Sequence, residues 1–202
     1  EKPLTATILE GRRMVEAQQA TGRVVAVGLN RRGNPAYRKL AEELHGGKLG
    51  NLCIAHAARI SNLAPDGIGR QQPAEPPPGF DWDLWLGPRA YRPYRYNITP
   101  YKFRWYNDFS SQVGNWGVHY IDAIRWMMQE TAPCAVSAHG SKLLDHDADI
   151  MDTMAVTFEF ASGKLITFQM LESCGGPLFP YGEIEIHGAK GVVYADERGY
   201  KI

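Results

Sequence analysis

The chain has 202 residues, 44% of them hydrophobic, which is enough for one ordinary domain or a domain with part of another. Its 22 basic and 22 acidic residues cancel, so net charge calls for neither nucleic acid nor an anionic membrane surface as partner. No apolar run approaches the ~20 residues needed to cross a bilayer. The chain opens Glu1-Lys2-Pro3, without Met or a leader pattern, and reads as starting partway into something longer. That leaves the compartment, cytoplasmic or exported, open. Three cysteines, Cys53, Cys134 and Cys174, lie far apart without CxxC spacing. This excludes a disulfide framework and predicts small buried hydrophobes.

The first predicted element is a helix. Thr7 and Glu10 have capping-box spacing, and Gly22 is a stop. Residues 24–29 form a continuous apolar run, predicted as a strand covered on both faces. Asn34-Pro35 is an N-cap followed by proline at the first helical position. Tyr37, Leu40, Ala41 and Leu44 then mark one helical face, and Gly46-Gly47 ends it. Residues 52–60 read as a strand, and the Pro- and Gly-rich residues 62–80 as a loop.

Residues 81–106 are crowded with tryptophan, tyrosine and phenylalanine, with arginines between them. Single-stranded nucleic acid would suit such a mixture, but the zero net charge and Asp81, Asp83 and Asp108 argue against it. Most of these rings are expected to be core, with Trp105 and Tyr106 lining a pocket because they stand closest to the next helix, residues 117–129. From residue 134 the pattern is β. Met154, Val156, Phe158 and Phe160 alternate with smaller or polar residues, Ser162-Gly163 signals a hairpin, and Ile166, Phe168 and Met170 return. Residues 183–187 and 192–195 are two further short strands. The predicted fold class is α+β, with an open, mostly antiparallel sheet and helices on one face. The acidic run Asp145-His146-Asp147-Ala148-Asp149 lies on one loop without a second contributing segment, so no metal site is expected.

The helix near residue 119 carries the chemistry. Asn115, His119, Asp122 and Trp126 fall at i, i+4, i+7 and i+11 on one stripe, with Val118, Ile121 and Met128 on another side available for packing. An imidazole held beside an amide and a carboxylate is a proton donor or acceptor that can be tuned near neutral pH. Asn30, Arg31 and Arg32 follow the apolar run, where ligands gather in parallel α/β sheets.

Three separated pieces, Glu1-Lys2-Pro3-Leu4, Val27-Gly28-Leu29-Asn30-Arg31-Arg32 and Gly114-Asn115-Trp116-Gly117-Val118-His119-Tyr120-Ile121-Asp122, together resemble the glucose-fructose oxidoreductase and inositol dehydrogenase family (Gfo/Idh/MocA). The segment 79–88 is similar to a large bacterial subgroup of it. The resemblance implies hydride transfer between a sugar or polyol and NAD or NADP. Residues 1–32 would be the last helix and strand of a Rossmann domain, and 33–202 a substrate-binding and oligomerisation domain. Lys2 and His119 would be catalytic with Asn115. Glu1, Lys2, Pro3, Asn30 and Arg31 would face the cofactor, and Trp105, Tyr106, Asn115, His119 and Asp122 the substrate. The partners implied are a small sugar or polyol and further copies of the chain through the open sheet face, with no nucleic acid and no membrane.

Two departures from the family pattern matter. Many members have Asp where Asn115 stands, and an amide cannot take a proton, so proton transfer falls to His119. The Gly-rich phosphate turn that precedes the EKP motif in the family is not in this sequence, and Gly46-Gly47-Lys48-Leu49-Gly50 follows a helix rather than a strand. The chain therefore reads as truncated at both ends. The competing reading is a non-catalytic carbohydrate-binding or oligomerisation module.

Overall fold

The computed structural model describes residues 2–5 and 7–202. Helix α1 spans Ile8–Thr21 and α2 Pro35–His45, followed by strand β1, Leu52–Ile60. A long excursion contains the short α3, Trp82–Leu86, and leads to α4, Val118–Met128. The strands β2 Ala135–Ser141, β3 Thr153–Glu159, β4 Leu165–Leu171, β5 Ile184–Gly188, β6 Gly191–Asp196 and β7 Gly199–Lys201 complete the chain.

All seven strands join one sheet in the order β2-β3-β4-β1-β5-β6-β7. Only β1 and β4 run parallel, with Ala57 opposite Phe168; the other neighbours are antiparallel. The parallel pair sits at the centre, and the long connection it needs is supplied by the excursion, α4, β2 and β3, which lie between β1 and β4 in the chain. One face of the sheet carries Ala55, Ala57, Ile166, Phe168, Met170, Ile184 and Ile186, all buried. They pack with Tyr37, Leu40 and Leu44 of α2 and Tyr120, Ile124 and Met127 of α4 in the main core. The α+β class with helices on one face is the observed architecture.

Local signals hold where expected. Thr7 accepts from the Glu10 amide while Glu10 reaches back, and Gly22 closes α1 in the left-handed conformation. Asn34 caps α2 through the Ala36 and Tyr37 amides, with Pro35 in the first turn. A second core forms under the excursion from Ile68, Trp82, Leu86, Tyr94, Ile98, Trp105 and Tyr106. Trp82 stacks on Trp85 at 4.9 Å, so most of the aromatic stretch is core. The run 145–149 ties this excursion down. Asp145 pairs with Arg70, and Asp147 accepts from the Gln71 amide and Asn97. His146 Nδ1 accepts from the Ile68 amide, under Gly67, whose φ of +60° and closeness to that ring leave no room for a side chain.

Three expectations are corrected. Residues 24–29 are not a strand. Val24 is 95% exposed and no described strand lies beside the segment, so its amides have no ladder to join. The cysteines are exposed, not buried: Cys53 is on β1 where its register with β5 shifts, Cys134 precedes an edge strand, and Cys174 follows β4 in a loop. Finally, the fully buried side of α4 is Tyr120, Ala123, Ile124 and Met127, where Val118, Ile121 and Met128 were expected, of which only Met128 is fully buried. Among the described residues no helix is long and apolar enough to cross a membrane.

Candidate active site

The chain enters α4 through a widened turn. Val113–Gly117 is a single π-helical turn, a backbone irregularity that recurs at functional sites. The Gly114 amide donates to Ser111 Oγ at 2.9 Å and the Asn115 amide to the Ser111 carbonyl at 2.8 Å. Gly117 lies so close to the Phe168 ring that an added Cβ would stand 3.3 Å from it. The turn is thus pinned between a loop hydroxyl and the sheet, which fixes where Asn115 and His119 emerge.

Lys2 reaches this turn from the far end of the chain. Its Nζ donates to the Asn115 backbone carbonyl at 2.5 Å and to Asn115 Oδ1 at 2.9 Å. Both residues line a cleft of about 690 Å³ together with Pro3, Thr5, Arg89, Arg104, Phe109 and Ser110. Asn115 is only 6% exposed. One turn on, His119 is half-buried, and its pKa is pushed down to about 4, first by burial, then by the Lys2 ammonium and the Arg31 guanidinium, with Asp122 opposing. The imidazole is therefore neutral at physiological pH. His119 Nδ1 and Asn115 Nδ2 are buried without a hydrogen-bond partner among the described residues. One amide donor and one ring nitrogen thus stand unsatisfied one helical turn apart.

The other predicted site residues are distributed differently. Pro3 lines the cleft, and Glu1 lies outside the described residues. Asn30 is exposed at the start of the 3₁₀ turn Asn30–Gly33. Arg31 is 4% exposed. It bonds Glu183 at 3.3 Å and stacks over Tyr120 at 4.1 Å, so it ties the residue before β5 to α4; it is not among the residues lining the cleft and acts on His119 through its charge. Asp122 is held by Arg32 in a two-pronged pair at 2.7 and 2.8 Å, not presented to the cleft. Trp105 and Tyr106 do not line the cleft. Tyr106 is fully buried with its hydroxyl on Asn97, and Trp105 Nε1 donates to Glu172 at 2.7 Å. Proximity in sequence placed them at the pocket; their size and apolar surface take them into the second core instead.

Sequence reasoning missed Arg89, Arg104 and Phe109, which line the cleft, and Glu172. Glu172 is fully buried, accepts from Trp105 and Gln112, and has its pKa raised to about 7, chiefly by burial. A lone acid at the end of an apolar strand was the available signal.

Comparison with known proteins gives this arrangement its relatives. The family model described as the GFO/IDH/MocA C-terminal domain matches residues 89–194, more than half of the chain. Inositol 2-dehydrogenase 4 of Saccharopolyspora erythraea is 30% identical over 87% of this chain and 40% of its own length. Among solved structures, a probable dehydrogenase from Thermotoga maritima superposes with a TM-score of 0.61 at 22% identity, covering 99% of this chain and 53% of that one. Levoglucosan dehydrogenase in complex with NADH and levoglucosan superposes with a TM-score of 0.65 at 21% identity, covering 96% and 45%. The chain spans less than half the length of the curated relatives it matches. By the family model that covers residues 89–194, more than half of its length, the chain belongs to the GFO/IDH/MocA family and matches its C-terminal domain.

Proposed function

We propose that this chain supplies the substrate-side chemistry of a NAD(P)-dependent dehydrogenase acting on a sugar or polyol hydroxyl. The observation that carries the reading is the meeting of Lys2 and Asn115, far apart in sequence, on one cleft wall, with His119 one turn behind Asn115 and within reach of the Lys2 charge. The names of the relatives, inositol 2-dehydrogenases and levoglucosan dehydrogenase, support the substrate class. In the same reading, residues 1–32 belong to the cofactor side and 33–202 to the substrate side, and the sheet face opposite the helices mediates self-association.

The residues present fit an alcohol beside a nicotinamide: a cationic donor bonded to Asn115, an unpaired amide donor of Asn115 itself and, one turn on, an unpaired ring nitrogen of His119. A nicotinamide held there would supply the hydride acceptor for the carbinol carbon. The neutral His119 takes the hydroxyl proton as the C–O bond gains double-bond character. The Lys2 ammonium, aimed by its two bonds to Asn115, stabilises the negative charge that builds on that oxygen. Asn115 orients and does not exchange a proton.

The test is cofactor reduction by the native protein that carries this chain, over a panel of polyols and sugars. The expected result is NAD(P)+ reduction with at least one of them, and a fall in kcat of roughly 10²–10⁴-fold for His119→Ala, the range of a lost general base. No reduction across the panel, or undiminished activity in His119→Ala, contradicts the reading. The 202-residue chain by itself is expected to show no measurable dinucleotide affinity in calorimetry; tight binding would move the cofactor site into these residues.

A further inference from the structure

We propose that His56, Glu185 and His187 form a binding site for a divalent transition metal, zinc by its donor set, on the sheet face opposite the helices. Candidate ligand atoms of the three residues all lie within 4.8 Å of one another. They come from two adjacent strands. Ala55, Ala57, Ile184 and Ile186 point into the core, so the alternating residues His56, Glu185 and His187 share the other face. His56 stands directly opposite Glu185 in the antiparallel β1–β5 ladder, and His187 follows two residues along β5. Ligands fixed by a ladder need little ordering to bind.

The arrangement has the features that separate a metal site from an ordinary ion pair. Two imidazoles and one carboxylate are the donor set of open zinc sites, with a fourth position left for water. Tetrahedral coordination places ligand atoms roughly 3.4 Å apart for bonds of about 2.0–2.1 Å, so small rotations of half-buried side chains close the cluster. The His56 and His187 rings meet edge to face with centroids 5.8 Å apart, converging rather than splayed. His56 Nδ1 is bonded to Thr167 Oγ1 at 2.7 Å, and Thr167 is its direct neighbour across the parallel β1–β4 ladder. That bond leaves Nε2 as the metal donor and orients the ring, the part an outer-shell partner plays in metal sites. The short His187 Nε2–Glu185 hydrogen bond is the interaction that the metal would replace. The signal in the sequence is slight: Glu185-x-His187 on one strand, with the third ligand far away on β1.

The experiment titrates Zn2+ into the metal-stripped, tag-free chain by calorimetry and repeats it with Co2+ in the visible spectrum. One equivalent of Zn2+ is expected, with a raised Tm. The Co2+ form should show the d–d absorption of a four- or five-coordinate nitrogen and oxygen site without a thiolate charge-transfer band. His56→Ala and His187→Ala should each abolish stoichiometric binding. Thr167→Val, which keeps shape and all three ligands, should weaken it by roughly 10–100-fold. Cys53→Ser should leave it unchanged, although Cys53 Sγ lies 3.4 Å from the His187 carbonyl. Circular dichroism on each variant separates a lost site from a lost fold. Absence of saturable binding, its survival in folded His187→Ala, a thiolate band, or its loss in Cys53→Ser would overturn the proposal.

Discussion

Helices α1 and α2 have comparable local credentials and opposite fates. Both start at a side-chain cap and both stop at glycine. Yet α2 buries Tyr37, Leu40, Ala41 and Leu44, whereas α1 buries nothing. Ile8 is 86% exposed on α1, and residues 24–29 beyond it are irregular. The difference is an opposing surface. Capping bonds decide where a helix begins and ends, but burial requires a facing sheet, and α2 has one while α1 has none among the described residues. The N-terminal segment is attached to the body at few points: Lys2 on Asn115, Arg31 on Glu183 and Arg32 on Asp122. Those points include the wall of the proposed active site.

The comparison is broken most sharply by core deletions. Phe168→Ala removes a fully buried ring under α4 and should cost about 3–5 kcal/mol in denaturant unfolding. Leu9→Ala on α1, 65% exposed, should stay within about 0.5 kcal/mol. Equal costs would show that α1 is packed in solution.

The buried acid of the sheet body gives the next effect. Glu172 has a folded-state pKa of about 7, above its ordinary 4.5, so the fold favours the neutral carboxyl. Its contribution is fully present below about pH 4.5, declines as pH rises, and is lost above about 7. Glu172→Gln keeps an oxygen acceptor for Trp105 and Gln112. It should remove this decline and stabilise the protein at pH 8 by up to about 3 kcal/mol. A pH–stability curve unchanged by the substitution would contradict the assignment.

A smaller, local effect is expected at the α1 cap. Thr7→Ala removes one half of the capping box and should cost about 1 kcal/mol. It should appear as faster amide exchange within α1, with the global unfolding midpoint unmoved. A shift of the midpoint would mean that α1 unfolds together with the sheet.

The same contrast explains what was legible in the sequence. Caps, the α2 face and the Ser162-Gly163 hairpin are short-range events, and residues a few positions apart suffice to reveal them. The run 24–29 was misread because a strand is defined by neighbours that its own residues do not encode. Strand β2 shows no burial alternation at all, every residue from Ala135 to Ser141 being exposed, as an edge strand allows. The parallel pairing of β1 with β4 joins strands more than a hundred residues apart. At the site, Lys2, Asn115 and His119 were legible because their motifs resemble a family. Arg31 and Asp122 were in the motifs too, but a motif records which residues sit together, not whether each faces a ligand or braces its neighbours.

The central claim is that the chain's first residues and the His119 imidazole share one partly desolvated site. Its most direct test is an NMR titration of His119 in the wild-type chain and in Lys2→Met. The ring should titrate near 4, far below the usual 6.5, and the value should rise when the ammonium is removed while staying depressed by the remaining burial and by Arg31. A wild-type imidazole that titrates near 6.5, with the same value in Lys2→Met, would contradict the account.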